Sequence, residues 1–142
     1  MSGSLPGSCA IAGIGQTEFS KESGRSELQL ACEAVSSALD DAGLAPGDVD
    51  GMVTFTMDAS DEIDVARSVG IGDLSFFSRV PHGGGAAAGT VVHAAMAVAT
   101  GVADVVVCYR AFNERSGMRF GGTGRTSAET PLFMAHYAPF GL

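Results

Sequence analysis

Residues 83–107, GGGAAAGTVVHAAMAVATGVADVVV, decide the fold. From Ala86 to Thr100 the stretch is apolar nearly all round, the composition of a helix covered by protein rather than one with a wet face. Gly101 supplies its stop, and Val102 to Tyr109 then reads as a strand buried on both sides. Thr100, Gly101 and Asp104 break the apolar run where a membrane span would need continuity, so a buried helix followed by a buried strand accounts for it better.

Outward from this segment the same alternation continues. Leu74 to Val80 is a run of bulky residues at strand length, and Met52 to Met57 carries the β-branched and aromatic residues of another strand. Between them Asp58, Ser60 and Asp61 open a helix over Ile63, Val65, Ala66 and Val69, broken by Gly70 to Asp73. Upstream, Ser26 and Gln29 have capping-box spacing, and Leu28, Cys32, Val35 and Leu39 recur at helical spacing as far as Gly43. Pro46-Gly47-Asp48 then makes a turn. Cys9 to Ile14, closed by Gly15, reads as a first strand buried on both faces. The βαβαβαβ order predicts an α/β protein with a parallel or mixed sheet, right-handed crossovers and one buried Ala/Gly-rich helix. No internal repeat occurs. Beyond Arg110 the pattern dissolves into a polar, Gly-rich stretch from Asn113 to Thr130, and the closing HYAPFGL shows neither a helix stop nor a polar tail. The expectation is one domain that is part of a longer chain.

Composition removes several classes of function. Sixteen acidic residues against 8 basic ones give a net charge of -8, and no Lys/Arg cluster offers a phosphate track, which argues against nucleic acid. Cys9, Cys32 and Cys108 form no CxxC pair and lie in apolar segments, so they read as buried thiols of a cytoplasmic protein. The N-terminus lacks a basic region and a long apolar core, so no signal peptide or membrane span is expected. His82, His93 and His136 are scattered and suggest no metal site.

The turn from Val80 to Thr90 joins a strand to an apolar helix, which places Ala86 at that helix's positive end. A cysteine there would have a lowered pKa and attack thioesters; this chain has alanine. A phosphate loop fits poorly, because the Lys and Ser/Thr of a P-loop are missing and GGGAAAG matches GxGxxG only loosely. Arg110 and Phe112 stand where a ribose-binding acid would follow the last strand. His82 could contact substrate or simply make an ordinary loop hydrogen bond, His93 reads as a satisfied core or interface histidine, and Tyr109 as a packing residue. Arg110, Arg115, Arg119 and Arg125 hold half the basic residues in one Gly-rich stretch, fit either for phosphates or a partner chain or for plain solvation.

In order and spacing, AIAGIGQTEFSK (Ala10–Lys21), SELQLACEAVSSALDDAGL (Ser26–Leu44), DVDGMVTF (Asp48–Phe55) and residues 83–107 resemble the thiolase superfamily, in particular its lipid-transfer-protein branch related to the thiolase portion of sterol carrier protein X. The resemblance covers essentially the whole chain and implies a thiolase-like fold, of which residues 1–142 would be the N-terminal half. The family's reactive cysteine turn aligns with Ala86-Ala87-Ala88-Gly89, so the acyl-accepting thiol is absent. YRAFNERSGMRFG (Tyr109–Gly121) is similar to the segment that follows this strand in the family, with Glu114 at its glutamate, and looks most like nucleophile-free members that cleave steroid side chains.

Those members imply retro-aldol cleavage of a steroid β-hydroxyacyl-CoA, with coenzyme A only as part of the substrate and no further cofactor. They also imply a small OB-fold and zinc-ribbon partner, a homodimer formed through the sheet edge, and catalytic residues beyond Leu142. In that frame His82, Gly83, Gly84, Gly85, Ala86 and Ala87 are the substrate-binding or oxyanion candidates, and Arg110, Arg115 and Arg119 the candidates for coenzyme A or the partner. A catalytically silent subunit that binds acyl-CoA or lipid, or scaffolds a partner, is the alternative.

Overall fold

The computed structural model describes residues 7–55, 60–80, 87–113 and 115. Helix α1 spans Glu27–Ala42, with Ser26 as its N-cap, the Ser26 hydroxyl accepting from the Gln29 N–H at 3.1 Å. The reciprocal half of the expected capping box does not form, because the Gln29 side chain donates forward to Glu33 at 2.9 Å. Leu30, Ala31, Val35 and Leu39 form the buried face, and Gly43, at φ 67°, closes the helix in the left-handed conformation.

A 3-10 turn at Pro46–Asp48 leads into strand β1, Gly51–Phe55, buried along its whole length. Helix α2 (Glu62–Val69), strand β2 (Phe76–Val80), helix α3 (Gly89–Thr100) and strand β3 (Val106–Cys108) follow. The three strands run parallel in the order β2-β1-β3, with Gly51 opposite both Phe76 and Val106. Side chains alternate across the sheet. Met52, Val105, Val107 and Tyr109 pack with α1 and α2, while Val53, Phe55, Phe76, Val80 and Val106 pack toward α3. Helices therefore cover both faces, as parallel strands require. Full burial of Met52, Val53 and Phe55 stabilises the centre by roughly 1.5–3 kcal/mol each.

Asp50 joins the amino ends of the strands. Its carboxylate accepts the Asp104 N–H at 3.0 Å and the Val105 N–H at 2.9 Å, and its own carbonyl accepts from Ser75 at 2.8 Å and Phe76 at 3.1 Å. The N–H groups of Asp50 and Gly51 in turn donate to the Val105 carbonyl. The strand expected over Val102 to Tyr109 is correspondingly short, since Asp104 and Val105 are engaged by this carboxylate before the ladder begins.

Three expectations are corrected. Cys9 to Ile14 is not assigned as a strand: among the described residues the run pairs with no strand, and Ile11 and Ile14 are 77% and 76% exposed. It lies along α1 so closely that a Cβ on Gly13 would fall 2.4 Å from the Ala38 carbonyl, and one on Gly15 2.3 Å from that of Ala34. The Ile14 N–H donates to Asp41 at 2.9 Å, and Arg25 bridges Glu18 of the run to Glu33 of α1. Helix α3 is not covered all round, because only Thr90 and Ala97 are buried and Val91, Val92 and Met96 stand half-exposed. The cysteines are not all buried either: Cys9 is exposed, Cys32 is intermediate, and Cys108 is exposed as a residue although its sulfur is partly buried against the Thr90 carbonyl. In each case apolar composition reports a surface that needs cover, and the described residues do not supply all of it.

Everything above belongs to one compact unit, Met1–Ser20 with Gly24–Phe112; the other is Lys21–Ser23 with Asn113–Leu142, where Ser23 Oγ donates to Asn113 Oδ1 at 2.9 Å. Among the described residues no helix is long and apolar enough to cross a membrane.

Two outcomes follow from this packing. Asp50→Ala leaves the Asp104 and Val105 N–H groups without their acceptor and is expected to cost about 2–3 kcal/mol, read as a lower urea midpoint at unchanged slope. Gly15→Ala forces the N-terminal run off α1, and limited proteolysis should then cut between Cys9 and Ser20 while the sheet stays resistant.

Candidate functional site

In an open parallel sheet, ligands gather where the strands end, because the loops there converge while the strands hold them rigidly. Here the carboxyl ends are Phe55, Val80 and Cys108. Residues 56–59 and 81–86, which follow the first two, lie outside the described residues, so of the expected turn candidates His82, Gly83, Gly84, Gly85 and Ala86 have no described position. Ala87 does. Its carbonyl accepts the Thr90 hydroxyl at 2.7 Å at the amino end of α3, which orders the first turn of that helix.

After β3 the chain places Tyr109 and Arg110 back to back. The Tyr109 ring is buried and its hydroxyl donates to the Ser60 carbonyl at 2.9 Å, tying the segment after β1 to the end of β3. This is the packing role expected for Tyr109. Arg110 is exposed, with its guanidinium 5.0 Å from the centre of the Phe55 ring and 5.8 Å from that of Phe112. The stacking comes from Phe55, a core residue 1% exposed, so the charge is anchored on the end of the central strand. Arg115 is exposed and belongs to the other unit; Arg119 and Arg125, like Glu114, His136 and Tyr137, lie outside the described residues.

Three further contacts near this end have no signature in residue spacing. Arg79 of β2 donates to Glu62 at 2.8 Å and pairs with Asp61 at 3.0 Å, both at the start of α2. Burial works against its charge, but the Glu62 hydrogen bond and the two carboxylates prevail and raise its pKa. Ser78 Oγ lies 2.7 Å from His93 Nδ1, so His93 is a hydrogen-bonded, partly buried link between β2 and α3, in line with the structural reading of it. Each partner sits on a different element, and only the folded register brings them together.

A separate apolar groove of about 570 Å³ opens on the far side of β3. Cys9 to Gly15 form one wall and Asp104 to Arg110 the other, with α1 and α3 between them. Cys108 is open to this groove, yet its sulfur turns toward the Thr90 carbonyl at 3.6 Å, and burial pushes the thiol up to about 11 against a weaker opposing pull from that contact. A thiol so held stays protonated and is a poor nucleophile. Among the described residues no cluster of His, Cys, Asp or Glu gathers as a metal site.

No family model matches the chain. It is 68% identical over 142 residues to a steroid side-chain-cleaving aldolase of Thermomonospora curvata, a match covering 97% of this chain and 36% of the relative. It is 73% identical over 117 residues to the 17-hydroxy-3-oxo-4-pregnene-20-carboxyl-CoA lyase of Mycobacterium tuberculosis, covering 82% of this chain and 30% of that one. A solved structure described as an Ltp2-ChsH2(DUF35) aldolase superposes with a TM-score of 0.82 at 67% identity, over 97% of this chain and 35% of that one. The chain thus spans about a third of the length of the curated relatives it matches, and within that third its sequence and fold are similar to those of steroid-cleaving aldolases.

Proposed function

We propose that these residues are the N-terminal portion of a thiolase-like lyase that cleaves the side chain of a steroid acyl-CoA by a retro-aldol reaction. The observation that carries this reading is the 68% identity, sustained over 97% of the chain, to a steroid side-chain-cleaving aldolase.

The second relative's name specifies a substrate with a hydroxyl at carbon 17 and a thioester on carbon 20, so the hydroxyl is β to the thioester carbonyl. In the reaction a base removes the hydroxyl proton and the freed electron pair forms a ketone. The bond between the α and β carbons breaks, its electrons become the thioester enolate, and that enolate is protonated at the α carbon. No acyl-enzyme is needed, which suits a chain with Ala86 at the nucleophile position and a Cys108 thiol that burial keeps protonated.

This chain's share of the work is binding and charge stabilisation. The Gly83–Ala87 turn would offer backbone N–H groups to the enolate oxygen, with His82 beside them, and Arg110, Arg115 and Arg119 would meet the phosphates of coenzyme A or the partner. The base would come from the rest of the polypeptide. A homodimer through the outer edge of β2 is supported by Phe77, 63% exposed on a strand that, among the described residues, is paired on one side only. The solved relative's two-component description favours a second, dissimilar subunit of the ChsH2 type.

The test is the protein at its native length, with and without that subunit, given a steroid β-hydroxyacyl-CoA. Equal amounts of steroid ketone and shortened acyl-CoA, with no mass added covalently to the protein, are expected. Thioester binding without product would leave the silent binding subunit as the correct reading. Arg110→Ala should raise KM for the thioester about 10-fold with a smaller effect on kcat, as for loss of one charge-assisted contact.

A further inference from the structure

We propose, resting on the lyase reading above, that Arg79 is a positioning residue for the reaction: through Asp61 and Glu62 it holds the start of α2 against the carboxyl end of β2, and so fixes the end of the sheet at which the steroid thioester reacts.

Two local sacrifices mark its partners. Asp61 occupies the N-cap of α2, yet its carboxylate accepts no N–H of its own helix and pairs instead with Arg79 Nη2 at 3.0 Å. A capping bond there would have stabilised the helix from within. Glu62 is 9% exposed, a burial that a carboxylate tolerates only when it is paired. Its Oε2 accepts from Arg79 Nε at 2.8 Å and lies 2.7 Å from Arg79 Nη2. Residues that break a local rule in this way sit where a tertiary geometry matters more than the helix that contains them.

The ties converge. Ser60, the residue before Asp61, accepts the Tyr109 hydroxyl at 2.9 Å, and Tyr109 lies within electrostatic reach of the Arg79 guanidinium. Residues 60–62 therefore join the end of β2 to the end of β3, a few positions after β1 stops at Phe55. Apolar packing does not do the same. The buried Val65 and Ala66 of α2 belong to the core shared with α1, and α2 touches the sheet only lightly, so its amino end is placed by polar contacts.

Arg79 is the penultimate residue of β2, the strand from which the turn proposed to hold the enolate departs. Its guanidinium is committed to two carboxylates, which leaves it poorly suited to grip a phosphate itself. Its influence on the reaction is through geometry, and a small misplacement of groups that stabilise a transition state lowers kcat more than it weakens substrate binding.

The test compares Arg79→Gln, Arg79→Lys and Asp50→Ala in the native-length protein with its second subunit, at a temperature where circular dichroism shows each variant folded. Arg79→Gln is expected to lower kcat about 10-fold with KM within about 2-fold of the unsubstituted protein. Arg79→Lys, which keeps the charge without the planar fork, should recover part of that loss. Asp50→Ala weakens the opposite end of the sheet and should leave kcat within about 2-fold even though its urea midpoint falls. Independently of turnover, the Asp64 and Val65 amides, which donate to the Asp61 carbonyl, should exchange about 10-fold faster in Arg79→Gln, while the Tyr109 amide, bonded to Val53, does not change.

Faster exchange with kcat unchanged would reduce Arg79 to a structural ion pair and overturn the proposal. A raised KM at unchanged kcat would make it a ligand contact instead, and an equal fall of kcat in Asp50→Ala would trace the effect to general stability; either result also overturns it, as does unchanged exchange at Asp64 and Val65. Absence of steroid ketone from the unsubstituted protein would remove the lyase reading and the positioning role together, whereas product from that protein and from Arg79→Gln at equal rates removes the positioning role alone.

Discussion

The carboxylate and main chain of Asp50 fix where the sheet begins. One residue meets the loop before β3 through its side chain and the start of β2 through its carbonyl, which sets the register of both outer strands against the central one. A one-residue slip in a parallel sheet would turn every side chain to the wrong face. With the amino ends locked, Met52 and Val107 reach α1 and α2 while Val53 and Val106 reach α3, and both layers of the core follow. Because the lock sits at the amino ends, the carboxyl ends remain available for loops whose sequence answers to a ligand rather than to the fold.

Much of this is legible in the sequence. The Ser26 cap, the glycine stops and the β-branched content of residues 51–55 are local signals, and the elements they announce are present with boundaries shifted by a residue or two. The departures from this pattern share one cause. Cys9–Ile14 and the helix from Gly89 to Thr100 are apolar because they must be covered, and hydrophobicity records that need without naming what provides the cover or whether it lies within the same stretch of chain. A run that pairs with nothing described looks identical, in one dimension, to a strand at the centre of a sheet.

The site divides along the same line. A glycine turn ahead of an apolar helix, and an arginine after the last strand, can be found by position. The contacts among the described residues near the strand ends cannot: Tyr109 with Ser60, Arg79 with Asp61 and Glu62, and Ser78 with His93 join residues 15 to 49 positions apart. No periodicity encodes such pairs. They exist because two crossovers, through α2 and α3, bring the strand ends and helix starts to one end of the sheet.

The stacking of Arg110 on Phe55 has a consequence for how the protein tolerates change. Arginine loses much side-chain freedom when it grips an anion, but a guanidinium already resting on two rings has surrendered part of that freedom in advance. Lysine at the same place would keep the charge and lose the flat surface that orients it, so the exchange is not conservative. The dependence also runs inward. Trimming the Phe55 ring, a change that looks confined to the core, would also unseat an exposed cation, so its effect would reach the surface as well as the packing.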